Sequence, residues 1–256
     1  MSETKDGALQ FGADKQMAPA NRLQMAETVD EKADVFARLA VELHSAGGVE
    51  ETIDAVVQFA LQALGCSYAG VALSNRGRRL EIPAVTDPVV AEIYNLQIDT
   101  MAGPLIESLH NQTVVLVRDT EVDLRWPAWA AEVARLGVRS VLDVPLSVGV
   151  AGSRSLGVLG LYGPEPDAFG PDDEAIAHIL ARHASVALAT ARHEQTLAQA
   201  VDARKLVGQA MGILMERYDL DGDRAFAILK RYSQDTNTKL RDVAQQLIDT
   251  RKLPRT

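Results

Sequence analysis

Arg204 and Lys205 open the stretch of this chain whose residue types and spacing best suit a chemical task, the holding of phosphate. The stretch continues Leu206-Val207-Gly208-Gln209-Ala210-Met211-Gly212-Ile213-Leu214-Met215-Glu216-Arg217. Leu206, Val207, Ala210, Ile213 and Leu214 recur at helical spacing and make an apolar stripe. Lys205, Gln209 and Gly212 fall on another face by i, i+4 and i, i+3 spacing, with Arg204 and Gly208 beside them. Each glycine inside a helix costs about 1 kcal/mol relative to alanine. Two of them, four apart, imply that something large comes close: a tightly packed partner helix or a phosphate backbone. Further on, Thr236-Asn237-Thr238-Lys239-Leu240-Arg241-Asp242-Val243-Ala244 puts polar caps and two cations at a helix start. Backbone donors there, with Lys239 and Arg241, can hold phosphate; N-capping by Asn237 or Thr238 is the plainer use of the same residues.

The residues of enzyme chemistry do not assemble in the same way. His178 and His183 are five apart and miss the i, i+4 spacing of two metal ligands on one helix. His44, His110 and His193 are isolated in sequence. Gly157, Gly160 and Gly163 do not match GxGxxG; they sit in an apolar strand, where close packing or a turn accounts for them. No Walker A or GxSxG sequence is present. Cys66 borders an apolar strand and reads as an inert structural thiol. Trp126 and Trp129 are the residues that could line a ligand pocket, with core packing or an interface as the commoner use. No catalytic residue and no metal ligand is assigned, and the chain is expected not to be an enzyme; a cofactor is left undefined.

These residues need elements to position them. Residues 1–30 show no sustained period and read as a disordered arm. Val35, Phe36, Leu39, Ala40 and Leu43 suggest a helix that Gly47-Gly48 stops, and 49–64 a second, ended by Gly65. Strands are expected over 68–73 and 79–85, around a turn at Asn75-Arg76-Gly77, then at 113–117, 140–148 and 156–162. Short helices fit 89–97, 104–110 and 126–136. A long helix begins at Asp172, whose neighbouring acids suit a helix N-terminus, and its pattern runs on without a Gly/Ser/Pro spacer. The tail reads as three helices over 196–217, 222–233 and 239–251. The fold class is therefore α+β, a mostly antiparallel sheet of five or six strands flanked by helices, followed by an all-α three-helix unit. The domains are 1–30, 31–190 and 191–256, the last two joined by a continuous helix.

At 256 residues, 47% hydrophobic and 24% charged, the composition is that of an ordinary globular chain. No apolar run reaches the roughly 18 residues of a membrane span, so no membrane partner is expected and the location is read as cytoplasmic. A single cysteine excludes a disulfide within one chain. The net charge of −9 argues against nucleic acid only as an average. Residues 196–256 hold eleven Lys/Arg against eight Asp/Glu, a balance of +3, which leaves −12 for residues 1–195.

Two resemblances sharpen this. Ala203-Arg204, the run from Val207 to Met215, Ala225-Phe226, Leu229-Lys230-Arg231-Tyr232-Ser233 and the run from Asn237 to Ala244 together resemble the ANTAR domain, a three-helix RNA-binding module of transcription antitermination. That resemblance implies recognition of paired stem-loops with hexanucleotide loops, usually by a dimer. It also implies an RNA-binding set of Arg204, Lys205, Gln209, Gly212, Arg231, Asn237, Lys239 and Arg241. Met211 stands where the family commonly has lysine. Arg125-Trp126-Pro127, the run from Gly137 to Leu142, Val144-Pro145-Leu146 and the run from Gly157 to Tyr162 are similar to a GAF domain, a sensor of small molecules or a dimerisation unit. Phe169, Asp173 and Glu174 match half of the cyclic-nucleotide signature, but the preceding Asn-Lys is missing.

The expected function is an RNA-binding antitermination regulator. The partners are stem-loops in nascent mRNA, a second copy of the chain and a possible small-molecule ligand of the sensor; Tyr218 and Tyr232 are possible stacking residues, with core burial favoured for Tyr232. The alternative is a DNA-binding regulator with the same sensor and a helix-turn-helix-like tail.

Overall fold

The structure is a computed structural model of the chain, and it describes residues 37–39, 41–43, 45–75, 80–148 and 155–252. The arm expected over 1–30, the turn at Arg76-Gly77 and the loop over 149–154 lie outside the described residues, as do Val35, Phe36, Ala40 and His44. Five strands form one antiparallel sheet in the order β2-β1-β5-β4-β3. They are β1 (Tyr68–Ser74), β2 (Leu80–Val85), β3 (Val115–Val117), β4 (Ser140–Ser147) and β5 (Ser155–Gly163).

Alternation along the strands sends side chains to two separate cores, as a period of two requires. Ala69, Val71 and Leu73 of β1, Leu142, Val144 and Leu146 of β4, and Leu159 and Leu161 of β5 face one side. There they meet α1 (Val49–Leu64) and the first half of α5 (Pro171–Tyr218). Ile53, Val56, Val57 and Ala60 give α1 its buried stripe at helical spacing, and Gly65 ends it in the left-handed region at φ 59°. Leu39 and Leu43 join the same core. The other side carries Ala72, Val141, Val158 and Tyr162 against α2 (Pro88–Thr100), α3 (Pro104–Asn111) and α4 (Pro127–Arg135). Each of these three helices begins at a proline, where the missing N–H costs no hydrogen bond. Arg139 ties the approach to β4 onto the segment after β3, its Nε and Nη2 donating to the two Asp119 oxygens at 2.9 and 2.8 Å. That hydrogen bond holds the Asp119 carboxyl below its ordinary range.

Helix α5 is one 48-residue element. No glycine or proline interrupts it between Asp172 and Val207, so nothing local stops it. Gly170 N–H donates to the Asp173 carboxylate at 2.9 Å, which caps its start. The Phe169-Asp173-Glu174 pattern thus has structural work here: Phe169 is core, and Asp173 is a cap. Buried residues of α5 run from Ala177 to Ala191 on the sheet domain and reappear only at Ala210 and Leu214. Those two join Ala225 and Leu229 of α6 (Gly222–Asp235) and Val243, Ala244 and Leu247 of α7 (Leu240–Thr250) in a third, small core. Tyr232 packs against that core, whereas Tyr218 is 57% exposed.

Candidate nucleic-acid interface

The third core decides which face of α5 is free. Leu206, Val207, Ala210, Met211, Ile213 and Leu214 turn toward α6 and α7. Arg204, Lys205, Gly208, Gln209 and Gly212 are all exposed, and Arg204 and Gly208 border a groove shared with Phe226 and Arg241. A Cβ placed on Gly208 or on Gly212 would meet nothing within 4 Å. Among the described residues nothing packs tightly against these glycines, so close packing within this part of the chain is not what they serve. Lys205, Gln209 and Gly212 make a ridge, with Arg204 and Gly208 on one shoulder.

At the start of α7, Asn237, Lys239 and Arg241 are all exposed, and Arg241 borders the same groove as Arg204 and Gly208. N-capping by Asn237 or Thr238 is corrected by the geometry. Lys239 is the N-cap residue and no side chain caps the helix. Asn237 instead adopts φ 48° in the turn before it, and the Thr238 hydroxyl donates to Thr236 O at 3.2 Å. Arg231 is the outlier of the expected set. It sits on the solvent side of α6 and pairs with Asp235 at 3.5 Å. Lys230 lies one turn beyond the exposed Phe226 on the same face, a placement that helical phasing alone indicates.

The sensor face has its own constellation, which the residue types alone had not singled out. Asp143 of β4 lies opposite Gly160 of β5, and Gly160 opposite Gly70 of β1. The two glycines let Tyr94 of α2 lie down on the sheet. A Cβ at Gly70 would come within 2.7 Å of Val90 and 3.1 Å of the Tyr94 ring. One at Gly160 would come within 2.5 Å of the Tyr162 hydroxyl, 2.6 Å of the Tyr94 hydroxyl and 2.8 Å of Asp143 Oδ1. Tyr94 donates to Gly70 O at 2.8 Å, and the Tyr94 and Tyr162 rings meet edge to face at 6.1 Å. Both Asp143 oxygens and the Tyr162 hydroxyl are buried with no hydrogen bond of normal geometry. Burial pushes the Asp143 carboxyl up to about 8, so it holds its proton at neutral pH. Burial likewise raises both tyrosines well above their ordinary value.

Trp126 and Trp129 pack on each other edge to face at 6.1 Å, with Arg125 over the Trp126 ring at 4.6 Å. Trp129 is 6% exposed and belongs to the core beneath α4, so packing uses both rings. Burial raises the Cys66 thiol to about 11, which fits an inert thiol. Among the described residues no cluster of His, Cys, Asp or Glu has the arrangement of a metal site, and no helix is long and apolar enough to cross a membrane.

Comparison with known proteins divides the chain as the geometry does. The family described as GAF domain matches residues 48–188, and the family described as ANTAR domain matches residues 195–248. No curated protein matches. Among solved structures, the chain is similar to a domain of a putative two-component sensor histidine kinase protein from Sinorhizobium meliloti 1021, at 17% identity and TM-score 0.48, covering 59% of this chain and 96% of that one. It is also similar to the GAF domain of a phosphoenolpyruvate-protein phosphotransferase from Acinetobacter, at 17% identity and TM-score 0.49, with 64% and 95% covered. A third is the chromophore-binding domain of a bacteriophytochrome from R. palustris, at 9% identity and TM-score 0.48, with 64% and 63% covered.

Proposed function

We propose a function from one premise: the chain belongs to the GAF family, and its GAF domain is followed by an ANTAR domain, the architecture of a regulator with a sensor and an RNA-binding output. The protein binds stem-loops in nascent mRNA through its ANTAR domain. Holding those hairpins keeps a competing terminator from forming, which makes the protein an antitermination regulator. The observation that carries this reading is the exposed ridge of Arg204, Lys205, Gln209 and Gly212, with Arg241 beside Arg204 and Gly208, and with nothing among the described residues within 4 Å of a Cβ on Gly208 or Gly212. Cations there meet phosphate, and the open glycines let a backbone approach closely.

The sensor is coupled to this ridge by α5. From Ala191, the last residue it buries on the sheet domain, to Ala210, the first it buries in the tail, the helix runs about 28 Å. Most helical stability comes from packing of an apolar face, and between those two residues α5 buries none within the described chain. Ile179, Val186, Leu197 and Val201 are 42–62% exposed, and their spacing places them within one narrow band of α5. We assign that band to a second copy of the chain, making the protein a homodimer whose paired α5 helices carry a shift in the GAF domains to the RNA-binding face. The role is regulatory and not catalytic, is exercised in the cytoplasm and admits a small-molecule signal at the GAF domain.

The test is equilibrium binding of the full chain to tandem RNA hairpins and to duplex DNA at matched salt. The reading expects the hairpins to bind at least tenfold more tightly. Equal binding to duplex DNA would favour a helix-turn-helix-like DNA regulator and refute the RNA assignment.

A further inference from the structure

On the Arg204 shoulder of the ridge, α5, α6 and α7 leave an open groove of about 360 Å³ between them. Its walls are Val207 and Met211 of α5, Phe226 of α6 and Leu240 of α7, and Gly208 contributes no side chain to it. The volume lies within the range of small-molecule sites. Three features say what it fits. Phe226 is a large aromatic left 40% exposed in a domain with a very small core, at a position where its neighbours Ala225 and Leu229 are fully buried. Met211 reaches across to α6, its Cε 3.7 Å from the Cβ position of Gly222, so the groove is closed along that side by an apolar wall. Arg204 and Arg241, both exposed, stand at its rim from two different helices.

An apolar slot with a free aromatic face suits a flat ring, and a cation on each side suits the phosphates that precede and follow that ring in a nucleic-acid strand. A paired base cannot enter, because its face is already stacked and its edge is engaged. We propose that this groove takes one unstacked base of the hairpin loop, laid on Phe226 over Gly208, with Arg204 and Arg241 on the flanking phosphates. This inference rests on the RNA-binding reading above and deepens it. The ridge supplies salt-dependent affinity for any RNA, whereas the groove supplies the preference for a looped-out base. It also gives Met211 a use in place of a cation: the methionine walls the slot.

The experiment uses the full chain and tandem RNA hairpins drawn from a library with randomised six-nucleotide loops. In the tightest binder each loop nucleotide is replaced in turn by an abasic one. The wild-type protein is expected to lose tenfold or more in affinity at one loop position. Phe226→Ala and Gly208→Leu, the second of which fills the groove on an open helix face, are each expected to lose about as much on the intact loop. Both should then be indifferent to the abasic change at that position, with the salt dependence of binding unchanged. Phe226→Tyr should restore the wild-type pattern, which separates the role of the ring from any effect on folding. Variants that bind the intact loop like wild type, or that still sense the abasic position as wild type does, overturn the groove while leaving RNA binding intact. A wild-type chain that binds no member of the library overturns both.

Discussion

Asp143→Asn isolates the most unusual electrostatic feature of the sensor. The carboxyl is fully buried on β4 beside Gly160, neither oxygen has a hydrogen bond, and burial raises it to about 8. In an unfolded chain an aspartate titrates near 3.9. Between those two values the folded protein holds a proton that the unfolded chain has released. Stability from this group is therefore fully present below about pH 4 and is lost as pH rises toward 8, with a slope of about 1.4 kcal/mol per pH unit. From pH 5 to pH 7 the loss is about 3 kcal/mol, or roughly 10 °C in Tm for a domain of this size. Asparagine cannot ionise and nearly preserves the shape, so its variant should lack this part of the slope. At pH 5 it should be no more stable than wild type, and by pH 7 it should have gained about 3 kcal/mol relative to it. Thermal melts across pH 5–8 followed by tryptophan fluorescence suit the measurement, because both tryptophans, Trp126 and Trp129, lie in the GAF domain. Parallel pH curves for the two proteins would refute the reasoning, since they would mean that the folded carboxyl ionises at its ordinary value.

Other outcomes follow from the same geometry. Gly160→Ala should destabilise the GAF domain by about 1–3 kcal/mol in chemical denaturation, because its Cβ would press on Tyr162, Tyr94 and Asp143 together; a change under 0.5 kcal/mol would show that the tyrosines yield. Gly208→Ala, made where nothing lies within 4 Å, should instead stabilise the ANTAR domain by up to about 1 kcal/mol in the same assay. Arg204→Ala with Lys205→Ala should weaken hairpin binding and reduce the salt slope by about 1–2, as two lost phosphate contacts require; unchanged binding would remove the RNA face from this ridge. Leu197→Glu with Val201→Glu should convert the proposed dimer to monomer in sedimentation at micromolar concentration, and a dimer that survives both changes would place the interface elsewhere.

Periodicity carried most of the fold. The stripe of Ile53, Val56, Val57 and Ala60 with Gly65 after it predicts 49–64, and α1 has those bounds. The absence of any breaker after Asp172 predicts that the helix runs on, as α5 does. The strand at 113–117 shrinks to Val115–Val117, a sheet edge with only β4 to pair with. The site was less legible, for reasons that differ from residue to residue. Asp143 stands in an apolar run, where alternation puts it on the face of Val141 and so inside a core; a buried acid in a strand is a signal that residue-type patterns for catalysis or metal binding do not look for. Its partners Tyr94 and Gly160 come from other elements, and only the strand register unites them. Arg231 enters the expected set through the ANTAR resemblance, and in the fold it is exposed on α6 and paired with Asp235. The groove needs three helices at once, so no single stretch of sequence reveals it, although Phe226 next to the fully buried Ala225 is where its signal lies.

The claim at the centre is that the ANTAR domain acts on structured nascent RNA. Sequencing of RNA cross-linked to the full chain in its own cells tests that most directly. The account predicts recovery of paired stem-loops with six-nucleotide loops that compete with a terminator. Recovery of RNA without such pairs, or of no RNA above background while the protein is abundant, would contradict it.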